Sequence, residues 1–397
     1  MERSVSSAKT FIVWHEIVRT YGISNTRSAY LELARIMSRF MPKVGNYMNS
    51  RENYLRAIRF ERPNYTPMRF AINDSCWMKY PQDFLFDMLE SHKFLFPDFQ
   101  RPKHPFIPNF ALVARKDQPY TDDWGCLWKT TDDGILGIVT RHPLTDWQGF
   151  ENYYMPDPNL CSGIGPVDWS VIQASVSKRK AQDELTQGDL RHGHTFLQLC
   201  DIRGYQNVMY DMADDEPNLV KLIQIIENFN LFIVRRYLEF GVDIIGCADD
   251  LGMQNGPLLS PNHFHKYLLP SYQKITLLAK KNGAIVYMHS DGYLHDLVDL
   301  LIESGVDVLN LQDEVNSIDW IAGKLAGKIC IDLDIDRQFI TPKGTCKQIE
   351  ALVRKEVKRI GSKKGGLIMT YGLYPGVPLE NVKSLMDAME KYAFYYS

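Results

Sequence analysis

The polar side chains best suited to catalysis in this sequence stand just after short apolar runs that read as β-strands. They are Asp201 and Arg203, Asp249 and Asp250, His289 and Asp291, Asn310 and Gln312 with Asp313 and Glu314, Asp332 and Asp334, and Thr370 with Tyr371. The carboxyl ends of parallel strands meet at one edge of a sheet, so residues far apart in sequence can share one ion or substrate there. Any single Asp could instead cap the following helix, but the whole set favours a functional site.

His289 and Asp291 form the sharpest pair, because side chains two positions apart on an extended chain point to the same side. Zinc accepts both a neutral imidazole and a carboxylate oxygen. We therefore predict a divalent ion, zinc, held by His289 and Asp291. The competing interpretation is a hydrogen-bonded His at a helix start. The other histidines, His192 and His194 among them, are assigned to the surface or to packing.

The elements that must position these residues become regular from about residue 195. Short apolar runs there alternate with amphipathic stretches, a pattern typical of βα units around a parallel sheet. The predicted strands are 196–200, 243–248, 284–288, 306–311, 328–331 and 366–369. Helices are predicted over 217–240, 261–282 and 294–304. Because no dinucleotide-binding glycine fingerprint accompanies them, the pattern favours an α/β fold of the closed (β/α)8 TIM barrel type over a Rossmann sheet.

The chain divides into an N-terminal helical extension, residues 1–60, and the barrel domain, residues 61–397. Apolar residues at helical spacing recur before residue 60. Residues 61–195 are rich in Pro and aromatic side chains, with one strand predicted over 68–72 and a β-hairpin over 123–140.

The composition argues against two classes of binding partner, nucleic acids and membranes. Lys and Arg number 45 against 48 Asp and Glu, a net charge of −3, which argues against a nucleic-acid partner. Seven cysteines without a Cys-x-x-Cys motif favour a reduced compartment, and no apolar run approaches the roughly 18 residues of a membrane span. We expect a cytoplasmic protein with no membrane partner. The sequence leaves the oligomeric state open, a homodimer included.

Several short motifs resemble the uroporphyrinogen decarboxylase superfamily over about residues 50 to 395. They are Arg51-Glu52-Asn53-Tyr54-Leu55-Arg56-Ala57-Ile58-Arg59, Asp123-Trp124-Gly125, Asp249-Asp250-Leu251-Gly252, His289-Ser290-Asp291-Gly292 and Tyr374-Pro375-Gly376-Val377-Pro378. Within the superfamily, the chain resembles the corrinoid-linked methyltransferases and their O-demethylase relatives more than the decarboxylases. The decarboxylases carry two arginines at the first strand, whereas only Arg69 stands here.

In the methyltransferases that the chain resembles, a His-x-Cys pair, a Glu in some members and a last Cys bind zinc. Carried across, these positions fall on His289 and Asp291, on Gln312, and within residues 369–371, so no thiolate is kept. Oxygen and nitrogen ligands make a harder site, suited to polarising an ether oxygen. The resemblance thus implies an O-demethylase component that moves a methyl group from a small methoxylated, aromatic compound to a corrinoid on a partner protein.

The expected roles follow from that reaction. Asp249 and Asp250 are predicted to be catalytic near the metal. Tyr371 and Tyr374 are predicted to donate to the departing oxygen or to stack on the substrate ring, and Gln312 to contact the substrate.

Two other functions stay open. In a decarboxylase, Arg69 and Arg203 would clamp substrate carboxylates, while Asp249 or Asp250 would stabilise a protonated intermediate. A catalytically silent barrel would serve as an accessory factor.

Overall fold

The computed structural model describes residues 50–397, and the helices predicted within residues 1–49 lie outside that range. The strands are β1 (Met68–Ile72), β2 (Tyr120–Thr121), β3 (Leu127–Lys129), β4 (Ile138–Arg141), β5 (Gln187–Asp189), β6 (Ile244–Ala248), β7 (Ile285–His289), β8 (Val308–Gln312), β9 (Cys330–Asp334) and β10 (Leu367–Leu373). The helices are α1 (Ser50–Arg59), α2 (Cys76–Lys79), α3 (Gln82–Ser91), α4 (Trp169–Ala181), α5 (Phe196–Arg203), α6 (Tyr205–Ala213), α7 (Pro217–Phe240), α8 (Pro261–His263), α9 (Leu269–Lys281), α10 (Val298–Glu303), α11 (Asp313–Asn316), α12 (Ile318–Lys324), α13 (Ile340–Lys343), α14 (Cys346–Ile360) and α15 (Leu379–Ala393). A π-helical turn, Phe264–Leu268, joins α8 to α9.

Seven parallel strands make the central sheet, in the order β1-β10-β9-β8-β7-β6-β5. The strand order runs in one direction, and the first strand pairs with the last, as in a barrel rather than a doubly wound sheet. The predicted TIM barrel class is therefore confirmed. Within residues 50–397 the sheet has seven strands, and the ladder is interrupted between β1 and β5.

The amino ends of the strands are filled by apolar side chains and covered by α1. Buried Tyr54, Leu55 and Ile58 of this helix pack with Ile244, Val308 and other inward-facing strand residues. This packing removes apolar surface from water at one end of the barrel. The polar residues are left at the other, carboxyl end.

Parallel pairing aligns the inward-facing polar residues near that carboxyl end. His289 lies opposite both Ala248 and Asn310, while Gln312 lies opposite Asp334. Because side chains alternate across a strand, these residues share the inner face of the sheet. The strand register thus places an imidazole, two amides and a carboxylate on one surface.

One predicted strand is wrong. Residues 196–200 belong to helix α5, and the strand that occupies the expected place in the sheet is β5, Gln187–Asp189. The backbone N–H groups of Thr195, Phe196 and Leu197 all donate to the carboxylate of Asp249, which caps the helix start. A short buried apolar run fits a helix or a strand equally well, and here the cap selects the helix.

The other predicted strands and helices are present, with bounds shifted by up to four residues. Helix α7 begins at Pro217 and ends at Phe240, and Gly241, whose φ is 70°, forms its left-handed C-terminal cap. The predicted hairpin over 123–140 is present as β3 and β4, extended by β2 into a small antiparallel sheet. Across residues 50–397, none of the helices combines the length and apolar character needed to cross a bilayer.

Candidate functional site

Three side chains converge at the carboxyl end of the sheet: His192 after β5, Asp250 after β6 and His289 at the end of β7. Their ligand atoms all lie within 4.8 Å of one another. Asp250 Oδ1 is 3.3 Å from His192 Nε2 and 3.5 Å from His289 Nε2. All three residues are partly buried, so the cluster stays accessible from the barrel mouth. We call these three residues the metal cluster.

The loops after β6 and β7 bring Asp250 and His289 together through close backbone contact. A Cβ atom on Gly292, which has φ of 84°, would collide with the backbone of Gly252. Only glycine tolerates that approach and that left-handed conformation without strain. The Asp291 N–H then donates to Asp250 Oδ1 at 3.0 Å, which fixes the carboxylate beside the imidazoles.

Asn310 orients the His289 ring. The Asn310 Nδ2 donates to the carbonyl of Asp332 at 2.8 Å, so its Oδ1 faces His289 Nδ1 and accepts a hydrogen bond from it. With Nδ1 donating its proton to Asn310, Nε2 is the ring atom turned toward the cluster, where a metal ion would take the place of its proton. A hydrogen-bonded second ring nitrogen is the usual support of a metal-ligating histidine.

Asp250 and His289 each stabilise the charged form of the other. Burial alone would raise the pKa of Asp250, but hydrogen bonds and charge from His192 and His289 lower it well below its usual range. Burial alone would lower the pKa of His289, but the hydrogen bond to Asp250 and the charge of Asp291 raise it to about 9. The cluster therefore attracts positive charge, whether a proton or a cation.

The donor set fits a catalytic zinc site. Two ligands about 2 Å from zinc at a tetrahedral angle are separated by roughly 3.3 Å, close to the spacings around Asp250 Oδ1. Two imidazoles and one carboxylate leave a fourth position for substrate, as in catalytic zinc enzymes. The group contains no cysteine, in keeping with the hard donor set predicted from the sequence.

Asp291 lies beside the metal cluster rather than within it. Its Oδ1 is 3.7 Å from His289 Nε2 and 3.5 Å from Arg337 Nη2, and this buried oxygen accepts no hydrogen bond. Of the predicted ligand pair, the structure thus brings His289 into the cluster, and ligation by Asp291 stays a prediction.

A cavity of about 280 Å³ opens beside the metal cluster. Gln312, Asp334, Arg337 and Phe339 are among its lining residues. Gln312, predicted to contact substrate, accepts a hydrogen bond from the Gly292 N–H at 3.0 Å. Gln312 therefore links the lining of the cavity to the Gly292 loop, which follows His289.

Three predicted site residues have structural surroundings instead. Asp249 is fully buried, and its oxygens accept from the start of α5 and from Tyr272 Oη. Arg203 is buried in a two-bond pair with Asp211 and also donates to the Leu144 carbonyl. Tyr371 is buried, and its hydroxyl donates to Thr341.

The structure thus gives Asp249, Arg203 and Tyr371 structural contacts away from the metal cluster, and their predicted catalytic and substrate-binding roles stay predictions. For Asp249, helix capping, which was the alternative interpretation of a strand-end Asp, describes its contacts. Tyr371 occupies a position on β10 whose side chain points away from the barrel interior, so its ring lies in the core.

The last two predicted residues lie at different depths. Arg69 reaches into the barrel interior, where its Nη1 lies 3.4 Å from Asp332 Oδ2 and 3.2 Å from Tyr54 Oη. Tyr374 is half-exposed at the rim, with its ring 5.7 Å from the Arg337 guanidinium carbon. Tyr374 thus lies beside Arg337, which lines the cavity, while Arg69 lies among the strand side chains.

Two residues of the site were missed from the sequence. The sequence does not mark His192 as a strand-end residue, because β5 contains Gln187, Gly188 and Asp189 and therefore lacks an apolar run. Placing that strand correctly would have made His192 a strand-end residue. Arg337 lies three residues beyond β9, where only its spacing from Asp334 gave a signal.

Comparisons with known proteins identify the relatives of this chain. Residues 195–392 match the family described as uroporphyrinogen decarboxylase (URO-D). The chain is 25% identical, over 186 and 189 residues, to uroporphyrinogen decarboxylases of two strains of Prochlorococcus marinus. Each alignment covers 46% of this chain and 50% of the relative, so the chain spans about half the length of the curated relatives it matches.

A solved methyltransferase from Methanosarcina mazei has the same fold. It superposes with a TM-score of 0.61 at 17% sequence identity, covering 87% of this chain and 99% of that chain. This likeness concerns the fold, while the family match over residues 195–392 and the curated relatives confirm the superfamily recognised from the sequence motifs.

Proposed function

We propose that this chain, which belongs to the uroporphyrinogen decarboxylase superfamily through residues 195–392, transfers a methyl group from a small methoxylated, aromatic compound to a corrinoid carried by a partner protein. The observation that carries the proposal is the metal cluster of His192, Asp250 and His289 at the carboxyl end of the barrel. Its nitrogen and oxygen donors suit an ether oxygen rather than a thiol.

The reaction needs a nucleophile and a way to stabilise the departing oxygen. The reduced cobalt of the corrinoid is the nucleophile, and a zinc ion in the cluster would act as a Lewis acid toward the ether oxygen. The chain itself would hold the ion through His192, Asp250 and His289. Asn310 would keep the His289 ring in place, as described above.

The cavity beside the cluster supplies a binding place for the rest of the substrate. Gln312 and Arg337 give it polar groups, and Phe339 with the nearby Tyr374 ring gives it aromatic surface. A volume of about 280 Å³ is near the lower end of the usual range for small-molecule pockets and suits a single substituted ring.

Decarboxylation is the second candidate, because the matching family and the curated relatives are decarboxylases. Its predicted carboxylate clamp needs both Arg69 and Arg203. Arg203 is buried and bonded twice to Asp211, so this arginine is not free to bind a substrate. The contacts therefore favour methyl transfer.

The deciding experiment mixes purified enzyme, a source of cob(I)alamin and a panel of methoxylated aromatics, and follows the cobalamin spectrum for methyl-cobalt formation. We expect methyl-cobalt with at least one compound and loss of the signal after chelation, restored by zinc. Carbon dioxide release from a carboxylated analogue with no methyl-cobalt signal would instead establish the decarboxylase.

The same assay tests the metal cluster. His192→Ala should lower bound zinc, measured by mass spectrometry, and reduce methyl transfer by at least about 100-fold, because one of three ligands is lost. His104→Ala, at an exposed histidine, is the matched control and should leave both unchanged. Full zinc content in His192→Ala would contradict the assignment.

A further inference from the structure

Asp334, at the end of β9, has one hydrogen-bonded and one unpaired carboxylate oxygen. Its Oδ2 accepts a hydrogen bond from Arg337 Nη2 at 2.6 Å. Its Oδ1 is buried and has no hydrogen-bond partner. The residue is 5% exposed and lines the cavity of about 280 Å³ beside the metal cluster. An unpartnered carboxyl oxygen at a ligand cavity calls for a partner that binding would provide.

Arg337 connects this carboxyl group to the metal cluster. The same Nη2 atom that binds Asp334 lies 3.5 Å from Asp291 Oδ1, which in turn is 3.7 Å from His289 Nε2. A substrate whose ether oxygen reaches the cluster from the cavity would therefore pass close to Asp334. Strand pairing supports this position, because Asp334 lies opposite Gln312 on the inner face.

We infer that Asp334 is the acid that protonates the substrate oxygen while its methyl group moves to cobalt, and this inference rests on the proposed methyl transfer. The cobalt electron pair forms the bond to the methyl carbon as the carbon–oxygen bond breaks. The electron pair of that broken bond stays on oxygen and takes the proton from Asp334 Oδ1. The products are a phenol, methyl-cobalt and an Asp334 carboxylate, which Arg337 stabilises.

The surroundings of Asp334 suit a group that holds a proton before the reaction. Burial raises the pKa of Asp334 to about 7 against the opposing charges of Arg337 and His289, and the charges of Asp291 and Asp332 add to the rise. A pKa near the working pH is the best compromise for a general acid. With Arg337 bound to Oδ2, the proton belongs on Oδ1, the oxygen that lacks a partner.

A purely structural role, in which Asp334 only positions Arg337, predicts different kinetics. A proton donor matters most when the departing oxygen is strongly basic and matters little when the phenol is already acidic. A residue that positions Arg337 would affect all substrates alike. The dependence on the leaving group therefore separates the two roles.

The test measures single-turnover methyl transfer by Asp334→Asn with methoxybenzenes whose ring substituents range from electron-donating to nitro. We expect a loss of at least about 100-fold with the most basic departing phenolate, and less than about 10-fold with the nitro compound. Asp334→Glu, which keeps an acid, should recover part of the lost rate. The rate of the wild type should fall as pH rises above about 7, and this pH dependence should vanish in Asp334→Asn.

Asp332→Asn, on the same strand but facing Arg69 and Tyr287, is the matched control, and any loss of rate relative to the wild type should be the same for every leaving group. Zinc content and circular dichroism confirm that each variant is folded and loaded. An equal loss of rate for all substrates, or no loss, would overturn the role of Asp334 while leaving the proposed function intact. If wild-type enzyme forms no methyl-cobalt with any compound, the proposed function fails and the inference with it.

Discussion

Asn310 offers a sensitive test of the metal cluster because it contacts His289 through Nδ1, the ring nitrogen that points away from the cluster. Replacing Asn310 with Ala removes the acceptor of the His289 Nδ1–H and leaves the ligand atoms themselves unchanged. Loss of such a supporting hydrogen bond weakens metal binding by about 10- to 100-fold, or about 1.4 to 2.8 kcal/mol. Asn310→Asp keeps an acceptor and should bind zinc at least as tightly as the wild type.

Replacing Asn310 with Ala also lowers the stability of the fold, and this effect has to be distinguished from the effect on zinc binding. Asn310 Nδ2 donates to the buried carbonyl of Asp332, so its loss should cost about 1 kcal/mol of unfolding free energy. Asn381 is a matched control, because it too is a buried amide, donating to the carbonyls of Thr341 and Gly344 away from the cluster. Asn381→Ala should lower stability by a similar amount without changing zinc affinity.

The assay is competition for zinc against a chromophoric chelator, with unfolding in urea measured on the zinc-free proteins. Zinc affinity in Asn310→Ala equal to that of the wild type would refute the reasoning, because His289 would then not need its bond to Asn310 to act as a ligand. A similar loss of affinity in Asn381→Ala would show that the effect arises from general destabilisation.

Two further predictions concern stability. Asp313 and Glu356 face each other in the core, where burial raises the pKa of Asp313 to about 6 and that of Glu356 well above its usual value. A raised folded-state pKa stabilises below the unfolded value near 4 and loses that contribution as pH rises through the folded value. The stability of Glu356→Gln relative to the wild type should therefore rise between pH 5 and pH 8, by up to about 1.4 kcal/mol per pH unit. Urea unfolding of both proteins at each pH measures this difference. A difference that stays constant with pH would disprove the prediction. Arg203→Met should lower the unfolding free energy by about 3 to 5 kcal/mol, because Asp211 is left buried without its charged partner. Adding Asp211→Leu should recover part of that loss. A change under about 1 kcal/mol in Arg203→Met alone would rule out a strong buried pair.

The barrel interior explains why the site is polar at only one end. Below the metal cluster, Asp332 Oδ2 accepts from Tyr287 Oη at 2.8 Å and lies 3.4 Å from Arg69. Below that layer, apolar strand residues and α1 fill the space. Arg69 therefore offsets the buried charge of Asp332, which would otherwise be costly at that depth.

The sequence by itself determined the fold class and the places of the long helices 217–240 and 261–282. Apolar runs alternating with amphipathic stretches predict a parallel barrel because each strand must be buried on both faces and each helix on one. His289 was found because a strand end followed by polar residues is visible in local pattern. The motifs that carry the superfamily resemblance are also local, and the match over residues 195–392 agrees with them.

Only the tertiary structure decided which polar residues meet. Asp249 and Asp250 are adjacent in sequence, yet one caps α5 and the other joins the metal cluster, since neighbouring side chains point in opposite directions. His192 enters the cluster because β5 pairs with β6, and that pairing depends on backbone hydrogen bonds that no local apolar run marks. Which residues pack against a given side chain depends on strand register and loop contact between segments far apart in the sequence, and a local pattern does not contain that information.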